Sequence, residues 1–431
     1  MGAAILLGAG LRLRGLLRHP VWLDEAYSVA VARQPLREIA RSLADETGPP
    51  LYYVLLHGWL RLFGEGEAAV RLLSVLCGLL LIPATGRLAR RLEGPGAGVA
   101  AAFLTAVTPI AVQFSQEARM YTLLPLLTAL AAERLLAWLQ DGRRGALLAH
   151  ALLLAAILYT HNWGLLILPA SAAAACLYGR DRLRGWAFAS LLALLLYAPW
   201  IPVLRAQVRD PSYLFIAMIQ KIPWWELPFR SLQLFASGAG DTGGTAGPLV
   251  ALPLSVLLAV WLLCLLAAPL MRRERRRDYG ALLMYGAIPP LAGALYSGLI
   301  RPIYLLGRYD ILVLPVTLAV ACGSLVRIAR GRRAALVVAV WAVALLGMSL
   351  RFTSAIERRF PEPIMASALL PQLRPGDRVV FCGLYRAAME YHLRRGAANF
   401  VPASFPPEAG DHLGWYYEGL YRPEAPEIAA A

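Results

Sequence analysis

The stretch from residue 248 to residue 271 contains no charged side chain. A helix of about 20 apolar residues crosses the hydrocarbon core of a membrane, so this stretch predicts a transmembrane helix. Ten further apolar stretches lie along the chain. Only 16% of the residues are charged, whereas a soluble domain carries about 25%. The sequence therefore excludes a soluble enzyme, a disordered chain and a scaffold built on disulfides.

The eleven apolar stretches predict an all-α polytopic membrane protein with about eleven transmembrane helices. The first, 2–17, is short and carries Arg12 and Arg14. A cleaved signal peptide is the alternative there, but no convincing small-residue cleavage site precedes Trp22. Segment 49–63 is too short to cross and contains charge, so we predict an interfacial or re-entrant helix. The other predicted spans are 68–86, 97–114, 120–139, 146–160, 163–179, 185–204, 248–271, 279–300, 309–326 and 334–350.

Arginines cluster in alternate connections between these spans, for example at 87–91 and 272–277. Short cytoplasmic loops of membrane proteins retain positive charge. The clusters therefore predict a cytoplasmic N-terminus and an extracytoplasmic C-terminus. They also account for the net charge of +15, so we expect no nucleic-acid partner.

The predicted external side contains a first loop, 18–67, a long loop, 205–247, and the C-terminal tail. In the tail, 378–382 and 399–401 are predicted strands and 385–395 is a predicted helix. We therefore predict two domains. Residues 1–350 would form the transmembrane domain, and residues 351–431 a small extracytoplasmic α/β domain.

Two adjacent carboxylates, Asp24 and Glu25, open the first external loop directly after a span. Apolar surroundings raise the pKa of a carboxylate, which suits a general base. The alternative is that the pair caps the helix that follows.

Other polar residues fall on the same predicted side of the membrane. Ionisable groups at this boundary are costly, which makes them candidates for function. Taken singly, Glu117 could pair with Arg119, and His161 could cap a helix. One topology nevertheless brings the whole set to one leaflet, which favours a common site. The set comprises Tyr52, Tyr53, Arg71, Glu117, Arg119, Tyr121, His161 and Arg308.

Six motifs in this order resemble the prokaryotic branch of glycosyltransferase family 39, kin to the protein O-mannosyltransferases and the lipid A aminoarabinose transferases of the GT-C superfamily. The motifs are LDEAYS from residue 23, PPLYY from 49, RLLS from 71, QEARMY from 116, YTHNW from 159 and GRYDILVLP from 307. The resemblance implies a GT-C fold that uses a polyprenyl-phosphate sugar as donor. It further implies inverting transfer to an acceptor hydroxyl on the external face of the cytoplasmic membrane.

The resemblance also implies roles for the candidate residues. Asp24 is the expected base toward the acceptor hydroxyl, and Glu25 would orient the acceptor or a bound ion. A guanidinium donates two parallel hydrogen bonds to a phosphate, so Arg119 and Arg308, with Arg71 behind them, are expected to bind the donor phosphate. Gly48 stands where many relatives have His or Lys, so the donor sugar is not carried over. The expected substrate pocket comprises Glu117, Tyr52, Tyr53, Tyr121 and His161.

The carboxylates Asp24, Glu25 and Glu117 are also candidate oxygen ligands for a divalent cation. No His or Cys spacing indicates zinc, and a metal requirement is left open. Expected partners are the lipid donor, the bilayer and an acceptor that is a protein, a glycolipid or a polysaccharide.

Two other function classes compete with a transferase. A transporter or flippase of polyprenyl lipids or envelope precursors would place charges at mid-span, where this chain has few. A non-catalytic scaffold would depend on its tail, which would bind an envelope partner.

Overall fold

The structure is a computed structural model and is mostly helical. It describes residues 1–43, 48–209, 216, 220–238, 252–271, 273–329, 331–355, 361–382, 385–396 and 399–405. In chain order the helices are α1 (Gly2–Leu13), α2 (Leu23–Ala32), α3 (Leu36–Ser42), α4 (Leu51–Phe63), α5 (Glu67–Glu93), α6 (Pro95–Val107), α7 (Pro109–Ser115), α8 (Leu123–Asp141), α9 (Arg144–Leu158), α10 (Ile167–Cys176), α11 (Arg180–Tyr197), α12 (Ile201–Arg209), α13 (Leu227–Ser237), α14 (Leu252–Ala267), α15 (Arg276–Leu299), α16 (Leu314–Ala329), α17 (Gly331–Ala355), α18 (Glu362–Leu369) and α19 (Arg386–Arg395). The strands are β1 (Asp377–Cys382) and β2 (Phe400–Phe405).

Seven helices among the described residues are long and apolar enough to cross a membrane, or eight if the bent pair α6–α7 counts as one span. Three shorter apolar helices lie at Gly2–Leu13, Arg144–Leu158 and Asn162–Cys176. Each predicted span therefore overlaps an apolar helix, and the exact number of crossings stays a prediction. Helix α4 has 13 residues, which is too short for a crossing, as expected.

The chain divides into two units. The first contains Met1–Leu16, Glu46–Tyr52 and Arg71–Ile356, and the second contains Leu17–Asp45, Tyr53–Val70 and Glu357–Ala431. Composition led us to predict a boundary near residue 350, whereas this division also assigns parts of the first loop to the second unit. An independent domain at 351–431 stays a prediction.

A break between α6 and α7 bends this helix pair by 59°. Thr108 has an extended conformation, as residues before proline prefer, and Pro109 lacks an N–H. The break therefore leaves carbonyls at the end of α6 without helical partners. Arg12 satisfies two of them, because its Nη1 donates to Ala106 O at 3.0 Å and its Nη2 to Thr105 O at 3.4 Å.

This arginine is fully buried, and its Nε also donates to Ser115 Oγ at 3.0 Å. Gly78 makes room for the contact. A Cβ at that position would lie 2.1 Å from Ser115 Oγ and 3.0 Å from Arg12 Nε. The charge within the first apolar stretch is thus a structural feature of the helix packing, since the positive group sits at the negative end of α6.

In the second unit, β1 and β2 pair in parallel, with Asp377 opposite Phe400. Helix α19 connects them, which agrees with the predicted strand, helix and strand. A small core is formed by Ala366, Phe381, Met389, Leu393 and Phe400. The second strand is longer than predicted and runs through Pro402. A proline is tolerated there because a two-stranded sheet has only edge strands.

Candidate active site

Two sequence motifs that are over 100 residues apart meet in the first unit. The backbone N–H of Leu51, in the PPLYY motif, donates to Tyr159 O at 2.9 Å. Nearby, Asn162 Nδ2 donates to Gln207 Oε1 at 3.2 Å, and Gln207 Nε2 donates to Gly48 O at 3.4 Å. The PPLYY and YTHNW motifs are therefore joined at their backbones and through one glutamine.

Tyr52 extends this connection to two further motifs. Its ring is buried, and its hydroxyl lies 3.0 Å from Ser74 Oγ, which in turn donates to Arg119 O at 3.3 Å. Ser74 has one hydrogen to donate, so Tyr52 is the donor toward Ser74. Tyr52 therefore helps to hold the loop that carries Arg119.

Arg71 is also buried, and its Nη1 donates to Leu16 O at 2.6 Å. The side chain of Gln116 reaches the end of α1 as well. Its Nε2 lies 3.3 Å from Leu11 O, 3.0 Å from Arg12 O and 2.9 Å from Arg14 O. These bonds satisfy carbonyls that a helix end leaves open, and they anchor the QEARMY turn to α1.

Within this turn, Glu117 is buried and accepts a hydrogen bond from Gln113 Nε2 at 3.4 Å on its Oε1. The backbone N–H of Arg119 donates to Glu117 O at 2.8 Å. The guanidinium of Arg119 lies over the ring of Tyr121, 5.8 Å from its centroid. This cation–π contact orients the arginine from the ring side.

Tyr121 belongs to an aromatic cluster built from three motifs. Its ring centroid lies 6.4 Å from that of His161 and 6.5 Å from that of Tyr309. His161 and Tyr309 are 4.6 Å apart, and Trp163 lies 5.9 Å from Tyr309. The QEARMY, YTHNW and GRYD motifs, predicted to share a leaflet, thus share one cluster in the first unit.

His161 is neutral in this cluster. Burial, and secondarily the positive charge of Arg119, lowers its pKa to about 3. Its Nδ1 accepts the backbone N–H of Trp163 at 3.1 Å, so the ring hydrogen is on Nε2. His161 therefore caps a helical turn, as one alternative had it, and it also has a donor at Nε2.

Arg308 directly precedes Tyr309, in the turn that leads into α16. Gly307 has a φ of +81°, which favours glycine at this position. Asp310 is buried and accepts a hydrogen bond from Ser231 Oγ, which also lies 2.6 Å from the Tyr304 hydroxyl. These contacts fix the turn to helix α13.

A cavity of about 260 Å³ adjoins the aromatic cluster. Most of its wall is apolar, with a few polar groups among the leucine, valine and isoleucine side chains. This composition is typical of a ligand pocket. The polar and aromatic lining residues are His161, Asn162, Trp163, Gln207, Tyr296, Arg301 and Tyr309.

The second unit contains Asp24, Glu25 and Tyr53. Glu25 is buried, and its Oε2 accepts the backbone N–H of Trp22, the residue before α2, at 3.5 Å. Asp24 is half-buried, and its carbonyl accepts Ser28 Oγ at 2.9 Å. The Tyr53 ring packs edge-on against Tyr27 at 6.4 Å. The capping alternative thus describes Glu25, while the catalytic roles of both carboxylates stay predictions.

Within the described part of the chain, no three His, Cys, Asp or Glu side chains form a group that could hold a metal ion. The predicted divalent-cation set, Asp24, Glu25 and Glu117, therefore receives no support from the geometry.

Known proteins resemble this chain in part of the sequence and in the fold. Residues 47–203 match the family model of the dolichyl-phosphate-mannose-protein mannosyltransferases. The structure of ArnT from Cupriavidus metallidurans bound to undecaprenyl phosphate is similar, with a TM-score of 0.60 and 18% identity over 93% of this chain and 84% of ArnT. The chain has the GT-C glycosyltransferase fold. Its predicted resemblance to that superfamily is thereby confirmed.

A second GT-C structure is similar over less of its own length. It is the oligosaccharyltransferase AglB from Archaeoglobus fulgidus, in complex with an inhibitory peptide and a dolichol-phosphate. The TM-score is 0.57 at 13% identity, over 92% of this chain and 64% of AglB. No curated protein sequence matches the chain. The GT-C fold and the apolar helices together make the chain a multi-pass membrane protein.

Several residues of this candidate site were missing from the sequence prediction, among them Gln207, Arg301 and Tyr309. Gln207 lies in the predicted long external loop, 205–247, and only its contacts with Gly48 and Asn162 single it out. Arg301 lines the cavity, and an arginine directly after a span was an available signal. Tyr309 stood beside Arg308 in a quoted motif, yet its ring rather than the arginine was found in the aromatic cluster.

Proposed function

We propose that this chain is an inverting glycosyltransferase that uses a polyprenyl-phosphate sugar. The observation that carries the proposal is the cavity of the first unit. It combines an apolar wall with the aromatic cluster of His161, Tyr309 and Trp163, and Arg301 adds a guanidinium. A lipid-linked sugar offers the matching chemistry, because its chain is apolar, its sugar stacks on aromatic rings and its phosphate is anionic.

The phosphate of the donor is the leaving group of the proposed reaction. Arg119 and Arg308 are the proposed partners of this phosphate, and Arg301 joins them from the cavity wall. ArnT and AglB, which share the fold, have been seen with undecaprenyl phosphate and a dolichol-phosphate respectively. Arg71 has a supporting role in this proposal, since its described bond goes to Leu16 O.

The sugar would be bound by the aromatic cluster itself. His161 is neutral and has its hydrogen on Nε2, so it is a donor toward a sugar oxygen. Tyr121 would line the sugar pocket, and the Arg119 guanidinium over its ring would couple the sugar to the phosphate side of the site. Glu117, Tyr52 and Tyr53 remain proposed members of the pocket, the first two through the turn that they help to hold.

Asp24 is the proposed general base. Its carboxylate takes the proton of the acceptor hydroxyl while the hydroxyl oxygen attacks the anomeric carbon. The bond from this carbon to the phosphate oxygen breaks, and its electron pair leaves with the polyprenyl phosphate. Attack from the face opposite the leaving group inverts the configuration. Glu25 has a positioning role, because its capping bond fixes the first turn of α2.

The reaction would take place on the external face of the cytoplasmic membrane. This location follows from the arginine-rich connections between spans. They favour the cytoplasm for their own side of the membrane, and the candidate site residues lie on the other side in the predicted topology. The acceptor would be a protein, a glycolipid or a polysaccharide, and the transferred unit a hexose or a pentose.

The proposal can be tested by mass spectrometry of envelope glycans in cells that lack the chain. We expect one sugar to be missing and to return on complementation with the wild-type protein. Asp24→Asn should fail to restore it, because removal of a general base costs about 100-fold or more. Glu38→Gln, which removes a carboxylate from the same loop, is the matched control and should restore the sugar.

Two outcomes would contradict the proposal. One is an unchanged glycan profile in the cells that lack the chain. The other is full restoration by an Asp24→Asn protein present at wild-type level. Movement of a labelled polyprenyl lipid across proteoliposomes without glycosidic product would instead support the flippase alternative.

A further inference from the structure

The second unit contains its own cleft, which the proposed reaction does not use. It has a volume of about 470 Å³ and lies between helix α2 and helix α19. This size falls in the range of ligand pockets. Unlike the cavity of the first unit, it has many charged lining residues, six of eleven. The lining residues are Ala26, Ala30, Arg33, Gln34, Glu65, Arg386, Ala387, Glu390, Tyr391, Arg394 and Arg395.

Four guanidinium groups and two carboxylates line this cleft. A third carboxylate, Glu67, pairs with Arg395 at 2.8 Å from outside the lining. Positive charge therefore exceeds negative charge even when this outer carboxylate is included. An excess of guanidinium groups favours a ligand with carboxylate or phosphate groups.

The arginines are held in place before any ligand binds. Arg394 Nε donates to Glu390 Oε1 at 2.8 Å, and its guanidinium lies 5.4 Å from the ring centroid of Phe400. Arg395 lies 5.9 Å from the centroid of Tyr391. A guanidinium has five N–H donors, and these contacts use only part of them. Preorganised donors reduce the entropy lost on binding.

One wall of the cleft belongs to the helix that begins with the proposed base. One face of α2 presents Ala26, Ala30 and, at its end, Arg33 to the cleft. The two alanines leave space beside α19. Asp24 is two residues before Ala26 and therefore on another face of α2. Ala30 is about 9 Å from Asp24 along the axis at 1.5 Å per residue. A ligand in the cleft would thus be held near the base without contacting it.

We propose that this cleft binds a negatively charged part of the acceptor, a glycan carboxylate or phosphate remote from the reacting hydroxyl. The Gln34 amide in the cleft wall suits sugar hydroxyls. That the bound anion belongs to the acceptor rests on the proposed function. The anion-binding site itself stands on the geometry of the second unit.

Binding to the full-length protein in nanodiscs tests this inference. The probes are trigalacturonic acid, which has three carboxylates, neutral maltotriose of equal length, and inorganic phosphate. We expect trigalacturonic acid to bind and maltotriose not to bind. Competition by phosphate would identify phosphate as the preferred anion, and weak competition would identify the carboxylated glycan.

The variant Arg394→Ala/Arg395→Ala should weaken trigalacturonic acid binding about tenfold or more, as expected for lost charge-assisted hydrogen bonds. The matched control is Arg374→Ala/Arg378→Ala, which removes the same charge from exposed positions outside the cleft and should change binding less than about twofold. If the first variant does not fold, Arg394→Gln alone should give a smaller loss in the same direction.

Three results would overturn the inference: no binding of either anion, equal binding of maltotriose, or equal losses in the cleft and control variants. Trigalacturonic acid binding needs no donor, so Asp24→Asn should leave it unchanged. Loss of transfer with intact binding would count against the proposed reaction only. Intact transfer without anion binding would count against the cleft only.

Discussion

The two units hold their polar side chains in different ways. In the first unit, Arg12, Arg71 and His161 are 5% exposed or less. The two arginines bind backbone carbonyls of other segments, and His161 accepts the backbone N–H of Trp163 in its own turn. In the second unit, the cleft arginines bind carboxylates near the surface, as in the Arg395–Glu67 pair with side chains 42% and 23% exposed.

This difference separates two tasks. Buried groups with backbone partners keep one geometry and are little screened by salt, which suits a site where charge develops during a reaction. Surface pairs contribute little to stability, and complementary charge at a surface favours recognition of a charged ligand. We therefore expect variants of the first unit to change turnover and variants of the cleft to change binding.

The largest expected effect is on turnover. Arg119→Ala should lower kcat about 100- to 1,000-fold, because it removes a donor to the leaving phosphate. Arg119→Lys should recover part of this loss, since an ammonium keeps the charge without the planar fork. The measurement is release of polyprenyl phosphate, with the exposed Arg180→Ala as control. Equal rates for Arg119→Ala and the control would remove Arg119 from the site.

The next effect is on stability of the first unit. Gly78→Ala places a Cβ 2.1 Å from Ser115 Oγ beside buried Arg12, so we expect a loss of about 1 to 3 kcal/mol in the free energy of unfolding. Gly10→Ala is the control, because a Cβ there meets nothing within 4 Å. Thermal unfolding of both proteins measures this loss. A Gly78→Ala protein as stable as the control would show that the Arg12 and Ser115 side chains can shift without loss of stability.

A third effect is on the pH dependence of stability. The pKa of His161 is about 3 when folded and about 6.5 when unfolded. Between these values the unfolded chain binds more protons, so stability falls as pH decreases through this window. His161→Asn keeps a capping acceptor for Trp163 N–H and cannot titrate. Its melting temperature should fall less than that of wild type from about pH 7 to about pH 4.5. Equal falls would contradict a buried neutral histidine.

The smallest effect should come from the surface of the second unit. Glu67→Gln removes the partner of Arg395, and we expect a loss of only about 0.2 to 1 kcal/mol. The difference should vanish at about 0.5 M salt, where exposed charges are screened. Thermal unfolding at two salt concentrations measures it. A large loss that persists in salt would make this pair resemble the buried contacts of the first unit.

The sequence predicted the elements more fully than their partners. Uncharged runs such as 248–271 indicate helices because burial in lipid requires about 20 apolar residues. The strand, helix and strand of the tail also followed from local pattern, although Pro402 concealed the length of β2. These features depend on residues that are close in sequence.

Long-range partners could not be read in this way. Arg12 looked like a defect in a span, because its carbonyl partners become available only where Pro109 interrupts a helix over 90 residues away. Gln207 looked like an ordinary polar residue until the fold brought Gly48 and Asn162 to it. The motifs did predict that residues near 119, 161 and 308 belong together, yet not that Tyr309 would be the residue in the cluster.

The central claim is sugar transfer from a polyprenyl phosphate with inversion. The most direct measurement uses the purified full-length protein with synthetic polyprenyl-phosphate sugars of known anomeric configuration and an envelope extract as acceptor. We predict one glycosidic product of opposite configuration for each polyprenyl phosphate released, and no product with Asp24→Asn. A product that retains the configuration, or an Asp24→Asn protein with wild-type turnover, would contradict the account.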